Sequence, residues 1–230
     1  MQGMVPLSGF GGVPYSAVRK AAPRNILDNS DFANLVAQAG IGGNHGTIAY
    51  AADRWILDSG TVSYAAGVGL TLNGTIRQKL EYPPTGETSA FVGMASGAAS
   101  ISYADGAVTI TSSGGVLKWA VLYGGVYSAA TMPDYQPKGY GAELLECQRY
   151  YYRRNIFCVL ELANNKNMSE YRGEITFPVE MRTNPQCAFD QNEGNVAIGL
   201  VNNQLCLLAG TPNELGWCTT GSRLEFIADL

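Results

Sequence analysis

The chain has 230 residues, of which only 15% are charged and 28 are glycine, and its net charge at pH 7 is −4. This composition is typical of a β-rich protein with many turns, and an acidic chain without clustered lysine and arginine argues against nucleic acid as a partner. No apolar run approaches the roughly 20 residues of a membrane-spanning helix, so we expect no membrane insertion.

Residues 1–23 contain glycines and prolines but no acidic residue. A segment of this composition forms no core of its own, so it is either a flexible leader or an arm that docks into a partner. It also lacks the charged-then-apolar order of a signal peptide, and we therefore expect synthesis in a cytoplasm.

Residues 24–136 alternate apolar and polar side chains in short runs separated by glycine, asparagine, aspartate or serine. This period of two indicates strands, and many short strands favour an antiparallel β-sandwich, here a jelly roll. Asp105-Gly106 predicts a hairpin turn, and Trp55, which alternates with Leu57, is predicted to lie in the core. The strand candidates are TIAYAADRWIL, TVSYA, GLTLNG, TIRQKLE, ASISYADG, AVTITSSGG and VLKWAVLYGG.

A different pattern occupies residues 139–153, GYGAELLECQRYYYR. Leu144, Cys147 and Tyr151 follow the i, i+3, i+7 spacing of one helical face, and acids near the start with arginines near the end suit the helix dipole. We predict a short connector helix within residues 137–154, with Tyr150 and Tyr152 reaching neighbouring subunits. The predicted module or subunit interface consists of Leu144, Cys147, Tyr150, Tyr151 and Tyr152.

Residues 155–230 show further strand-like runs and predict a second, small β-domain. The whole fold is therefore expected to be mainly β, with an N-terminal arm, a jelly-roll sandwich, a connector helix and this last domain. The cysteines are odd in number and no pair has the spacing CxxC, so free, mostly buried thiols are predicted in place of disulfides or a zinc site. They are Cys147, Cys158, Cys187, Cys206 and Cys218.

Patterns that indicate catalysis are weak in this sequence. The only histidine, His45, lies in GIGGNHGTI, where we predict a surface loop, and a Ser-His-Asp triad or Cys-His pair would need it. Asp28, Asn29 and Asp31 offer oxygen ligands for calcium but also suit an Asx-turn, which we favour. We predict no catalytic residue, metal or cofactor. Two carboxylates meeting in a groove stay open as a glycosidase site, with candidates Glu81, Glu87, Asp105, Glu143, Glu146, Glu161, Glu170, Glu174 and Glu180.

Aromatic side chains are the remaining candidates for function, because tryptophan and tyrosine stack on sugar rings. Leu117, Trp119, Val121 and Tyr123 alternate along one predicted strand and are expected to share one face, for which buried packing is the favoured interpretation. Trp217 lies in NELGWCTTGS, which is typical of an exposed loop. The candidate glycan-binding residues are Tyr103, Trp119 and Trp217.

Several motifs follow one another between residues 24 and 230. RNILDNSDF comes first, followed by the triplet Asp53-Arg54-Trp55, by Gln78 in TIRQKLE, by a connector motif and by the strand FPVEMR with Pro185 downstream. This series resembles bacteriophage and prophage tail-fibre or receptor-binding proteins that carry a jelly roll like those of carbohydrate-binding modules. The connector motif is matched by Glu143, Leu144, Cys147, Gln148, Arg149, Tyr150 and Tyr151.

The resemblance implies a virion protein, either a fibre or a decoration protein, that is assembled in the host bacterial cytoplasm and forms a homotrimer. Its arm would attach it to other capsid or tail proteins, and its outer module would contact a host-surface glycan. Two alternatives stay open: a purely structural component that binds no ligand, and an enzyme that degrades polysaccharide. The residues expected to attach the arm to the particle are Pro6, Phe10, Pro14 and Tyr15.

Overall fold

The computed structural model describes residues 23–155, 158–161, 171–191, 196–210, 217–220 and 223–228. Their fold is mainly β, with antiparallel sheets and one short helix, as the alternation pattern predicts, and it is consistent with a β-sandwich. In this part of the chain no helix is long and apolar enough to cross a membrane. The arm residues proposed for attachment, Pro6, Phe10, Pro14 and Tyr15, lie outside the described residues.

Seven strands form the first sheet, in the order β1-β2-β3-β4-β7-β5, with β6 also paired to β7. The long strand β7 pairs with β6 along its first half and with β5 along its second half, while β4 takes the opposite edge. The bounds are β1 Asn44–His45, β2 Ile48–Ala52, β3 Trp55–Ala65, β4 Gly69–Lys79, β5 Thr88–Ser96, β6 Ala99–Ala104 and β7 Ala107–Gly124. We call residues 23–124 the first unit.

Several runs predicted as separate strands are continuous. GLTLNG and TIRQKLE form the single strand β4, because Gly74 does not end the strand but faces Gly60 of β3. A Cβ atom on Gly60 would lie 1.9 Å from the carbonyl oxygen of Asn73, so the two backbones approach too closely for any other residue. The predicted hairpin turn at Asp105-Gly106 is confirmed, since both residues have positive φ between β6 and β7.

The core of the first unit lies between the sheet and the segment of residues 25–36. Trp55 is fully buried, as predicted, and its ring lies 5.3 Å from that of Phe32. The segment also extends the sheet, since the Ile26 N–H donates to the carbonyl of Leu122 and the Ala120 N–H donates to that of Ser30. The segment that opens the described chain is therefore part of the folded unit.

One helix, α1, spans Tyr140–Gln148 and is shorter than predicted. Cys147 is buried on it, Leu144 is half-buried, and the following strand β8, Tyr151–Asn155, begins almost at once. The prediction that Tyr151 belongs to the helical face is therefore wrong. Aromatic residues suit a strand, and pairing of Tyr151 with Ile227 near the end of the described chain overrides the local helical pattern.

The second unit begins at β8, and its described residues form three small sheets, ordered β10-β13-β12, β11-β15-β8 and β14-β9. Its core includes Phe177 and Met181 of the FPVEMR motif together with Phe226. Among the described residues, Cys147 and Cys206 are buried cysteines, as predicted, and Cys187 is half-buried. The remaining bounds are β9 Cys158–Glu161, β10 Tyr171–Thr176, β11 Gln186–Gln191, β12 Val196–Val201, β13 Leu205–Gly210, β14 Trp217–Thr220 and β15 Arg223–Ile227.

Candidate functional site

The side-chain amide of Gln78, in TIRQKLE, joins this motif to Asp28 of RNILDNSDF. Its Oε1 accepts a hydrogen bond from the Asp28 N–H at 2.9 Å, and its Nε2 donates to the Asp28 carbonyl at 2.7 Å. Gln78 is fully buried, so satisfying both of its polar atoms avoids a large desolvation cost. These two hydrogen bonds fix the backbone of Asp28 and therefore the direction of its carboxylate.

The oxygen-rich sequence DNSD forms local turns and contacts. The Asp31 Oδ1 accepts a hydrogen bond from the Ala33 N–H at 3.2 Å, which is the predicted Asx-turn. The Asn29 side chain is buried and bonds the backbone of Val36 and Asp53. Among the described residues no group of three histidine, cysteine, aspartate or glutamate side chains is placed to hold a metal ion.

Lys138, which precedes α1, lies at the centre of an ion-pair network. Its Nζ is 3.2 Å from the Asp28 Oδ1, 3.1 Å from the Glu146 Oε2 and 3.9 Å from the Glu143 Oε2. The Arg54 Nε lies 3.4 Å from the other carboxylate oxygen of Asp28. Three acids from two parts of the chain thus share one half-buried ammonium group.

The pKa values of Asp28 and Glu146 are shifted in opposite directions. Burial raises the pKa of Asp28, but its hydrogen bond with Glu146 and the charges of Arg54 and Lys138 outweigh burial, and the pKa is lowered. Burial and the hydrogen bond with Asp28 raise the pKa of Glu146. The pKa of each carboxyl group therefore depends on the charge of the other, and the two groups titrate as a pair.

Glu143 is a buried anchor of the helix and not merely a charge in its first turn. Only 3% of the residue is exposed, and its Oε2 accepts a hydrogen bond from the Asn29 N–H at 2.6 Å. Burial raises the pKa of its carboxyl, and the nearby charges of Asp28 and Glu146 raise it further against the opposing effect of Lys138. The carboxyl ties α1 to the opening segment of the first unit.

A second group of charges surrounds Glu81, just after β4. The Tyr150 hydroxyl donates to its Oε2 at 2.5 Å, the Arg149 guanidinium contacts both carboxylate oxygens at 3.3 Å, and the Arg182 Nε lies 4.0 Å away. Burial favours a higher pKa for Glu81, but the hydroxyls of Tyr150 and Tyr82 and the two arginines outweigh it and lower the pKa. Glu81 therefore links the first unit to the connector and to FPVEMR.

Between these two charge groups lies a pocket of about 250 Å³. Tyr82 and Arg24 stand at its edge with 77% of the residue and 76% of the side chain exposed, respectively. The Arg24 guanidinium lies 2.9 Å from the Glu146 Oε1. The charged residues that line the pocket are Arg24, Arg54, Lys138, Arg149, Asp28, Glu81 and Glu146.

The predicted position of His45 in a surface loop is wrong. The residue is 2% exposed, and its ring is stacked between the rings of Tyr50 and Tyr151, with centroid distances of 3.8 and 3.7 Å. Its Nε2 lies 3.6 Å from the Oδ1 of Asp53. Glycines before and after His45 suggest a loop, but burial results from β8, more than a hundred residues later, covering the ring.

Three residues of the predicted interface, Tyr150, Tyr151 and Tyr152, contact other parts of the same chain. The Arg54 guanidinium lies 3.5 Å from the ring centroid of Tyr150, a cation–π contact between the two units. The Tyr151 hydroxyl donates to Glu225 at 2.9 Å, and Tyr152 stacks on Phe226. The buried side chains of Tyr150 and Tyr151 thus lie between the two units, and the expectation that Tyr150 and Tyr152 reach neighbouring subunits stays a prediction.

The candidate glycan-binding residues are not brought together. Tyr103 packs against the core, whereas Trp119 lies on the opposite face of the sheet, between Gly93 and the stacked ring of Tyr135. Trp217 begins the strand β14 and does not lie in a loop, and its side chain is outside the described residues. Tyr103 and Trp119 therefore lie on different faces of the sheet and share no surface.

The expectation that Leu117 and Trp119 share a face is also wrong. Gly93 pairs with Trp119 while Met94 pairs with Leu117, so Lys118 is an extra residue at a β-bulge. The bulge reverses the alternation, which leaves Leu117 in the core and turns Trp119 outward. Val121 and Tyr123 are buried as expected, but on the outer face.

Sequence analysis missed most of the pocket, although it had noted several of its members as motifs. Arg24, Arg54 and Tyr150 belong to sequence motifs, but nothing in those motifs indicates that they meet in a pocket, and Lys138 belongs to no motif. The one signal in the sequence that could have indicated this site is the high polarity of the motifs for segments that flank strands.

Comparisons with protein-family models, with curated proteins and with solved structures give no match.

Proposed function

We propose that this chain is a structural protein of a bacteriophage particle, a fibre or decoration protein, whose folded part contacts host-surface glycans. The proposal takes the resemblance stated above as its starting point and adds one observation from the fold. The motifs that carry the resemblance are far apart in sequence and converge on one junction between the two units.

The convergence is direct. Gln78 forms hydrogen bonds with the backbone of Asp28 in RNILDNSDF. Arg54 of the Asp-Arg-Trp triplet pairs with the Asp28 carboxylate, and its guanidinium lies over the ring of Tyr150 in the connector. The Arg182 N–H of FPVEMR donates to the carbonyl of Arg149 at 2.8 Å. A set of motifs that fixes two β units against each other supports a structural role better than a catalytic one.

Particles that lack this protein test the proposal. Under it, the protein is found on purified particles, mutant particles still assemble, and their adsorption to host cells falls. Normal adsorption with unstable particles would favour a purely structural component. Absence of the protein from purified particles would overturn the virion role altogether.

A polysaccharide-degrading enzyme is the second candidate, because Asp28 and Glu146 form a pair of carboxyl groups in a pocket with opposite pKa shifts. Glycosidase carboxylates flank the scissile bond at separations of about 5 Å or more. Here both groups are paired to Lys138, whose Nζ lies 3.2 Å from the Asp28 Oδ1 and 3.1 Å from the Glu146 Oε2, so the ammonium group stands where a substrate would have to enter. Release of reducing sugar from host polysaccharide, lost in Glu146→Gln, would favour the enzyme.

A further inference from the structure

We propose that the pocket between Asp28, Glu81 and the connector binds a carboxylate-bearing saccharide, one acidic sugar residue at a time. The inference rests on the proposed glycan contact and deepens it, since it names the site and the class of sugar. It also replaces the three aromatic positions that the sequence suggested.

The charge of the pocket favours an anion. Four of its lining residues are cations and three are anions, in a chain whose net charge is −4. Each acid also faces more than one cation: Asp28 faces Arg54 and Lys138, and Glu146 faces Arg24 and Lys138. The lining residues therefore carry a formal charge of +1, and the two cations that remain exposed, Arg24 and Arg149, are placed to meet an anion at the edge of the pocket.

Arginine donors are accessible at the edge of this pocket. Arg24 contacts Glu146 through one guanidinium nitrogen, and a guanidinium carries five N–H donors. The side chain of Arg149 is 40% exposed while it contacts Glu81. Exposed guanidinium groups that are already oriented by a carboxylate suit two-point recognition of a ligand carboxylate.

Apolar surface accompanies the charges. The Tyr82 ring stands at the edge with most of its area exposed, and Ile26, Leu80 and Tyr150 form part of the wall. A sugar ring offers a C–H face that packs on an aromatic ring, while its hydroxyl and carboxylate groups reach polar neighbours. Simple inorganic anions would not use Tyr82, so this combination favours an acidic sugar.

The size of the pocket limits the ligand. Its volume of about 250 Å³ lies just below the range of about 300–1,000 Å³ that drug-sized ligands occupy. One sugar residue fits, and the neighbouring residues of a longer chain would extend past Tyr82 into solvent. We therefore expect short oligosaccharides to bind about as well as long ones at a single site.

Calorimetric titration of the full chain provides the test, with trigalacturonate and sialyllactose each measured against its own methyl ester. The members of each pair differ only in whether the carboxylates are esterified. At least one acid should bind about tenfold more tightly than its neutral partner, as a charge-assisted contact worth about 1.4 kcal/mol implies. Equal binding within both pairs, or no binding of either acid at millimolar concentration, would overturn the inference.

Variants locate the site. Arg24→Gln and Tyr82→Ala should each weaken binding of the acidic sugar by about fivefold or more, because they remove a donor and a stacking surface. The matched controls are Arg154→Gln in β8 and Tyr140→Ala on α1, two exposed residues outside the pocket lining, which should change affinity less than about twofold. Binding that survives both pocket variants would place the sugar elsewhere.

The two proposals fail separately. If neither acid binds but particles lacking the protein lose adsorption, the pocket inference is wrong and the adhesive role stands. If an acid binds in the pocket but the protein is not found on particles, the binding site stands and the virion role is wrong.

Discussion

Two contact regions join the same pair of β units by different chemistry. The ring stack of Tyr50, His45 and Tyr151 is buried, whereas the ion-pair network of Lys138 with Asp28, Glu143 and Glu146 opens partly onto the pocket. Buried rings gain from leaving water, while charges lose hydration that their pairing only partly returns. We infer that the stack supplies most of the stability of the junction and that the network sets its geometry and charge.

The comparison also explains why binding is expected at one region and not at the other. Both faces of the His45 ring are covered, so the stack offers no surface to a ligand. Arg24, which contacts Glu146 of the network, and Arg149, which contacts Glu81, keep accessible guanidinium groups at the pocket. Variants of the stack should therefore change stability, and variants at the pocket edge should change binding.

Removing a ring from the stack should have the largest effect. Tyr151→Ala loses the stacking on His45, the hydrogen bond to Glu225 and a buried volume that neighbours cannot fill. The free energy of unfolding should fall by about 3–5 kcal/mol in urea denaturation. The exposed Tyr140→Ala should cost less than about 0.5 kcal/mol. Equal losses for the two variants would show that the stack does not hold the units together.

Removing the shared cation should have a smaller effect on stability. Lys138→Met leaves Asp28, Glu143 and Glu146 with less compensation for their partial burial, and the free energy of unfolding should fall by about 1–3 kcal/mol. Lys118→Met on the exposed side of β7 is the matched control and should be nearly neutral. A neutral or stabilising Lys138→Met would mean that the network contributes nothing to the junction.

Local sequence patterns predict the mainly β fold but not the contacts that make the site. The Asp105-Gly106 turn and the burial of Trp55 depend on neighbouring residues and were predictable. The face of Trp119 depends on a bulge that only the partner strand reveals. The burial of His45 depends on Tyr151, which local reasoning placed in a helix.

The pocket shows the same limit more clearly. Arg24, Glu81 and Arg149 come from three distant parts of the chain, and no spacing in the sequence announces that they meet. The sequence motifs were recognisable, but as separate patterns. Only the fold shows that Gln78 and Arg54 meet at Asp28 and that Tyr150 lies against Arg54, so that the motifs form one junction.

The buried acid of the network predicts a specific pH dependence. The pKa of Glu143 is raised from 4.5, first by burial, so the folded protein holds this proton more tightly than the unfolded chain does. Its favourable contribution is complete below pH 4.5 and is lost as pH rises through the raised pKa. The stability of the wild type relative to Glu143→Gln should therefore fall over that interval and then stay level.

Urea denaturation of both proteins at a series of pH values measures this difference. Asp28 and Glu81, whose pKa values are lowered, lose stabilisation as pH falls, but they are present in both proteins and largely cancel. The exposed Glu87→Gln is the control and should track the wild type. A relative stability of Glu143→Gln that falls as pH rises would contradict the assignment of Glu143 as a buried anchor.

The smallest effect on stability is expected at the pocket edge, and it separates the two roles of the junction. Arg24 is largely exposed, so its ion pair with Glu146 should contribute less than about 0.5 kcal/mol, and Arg24→Gln should unfold like the wild type. Lys138 keeps Glu146 in place without it. Weaker binding of the acidic sugar by a variant of unchanged stability would then report lost ligand contact. A large loss of stability in Arg24→Gln would instead show that the pocket edge belongs to the structural joint and that its charges are not free for a ligand.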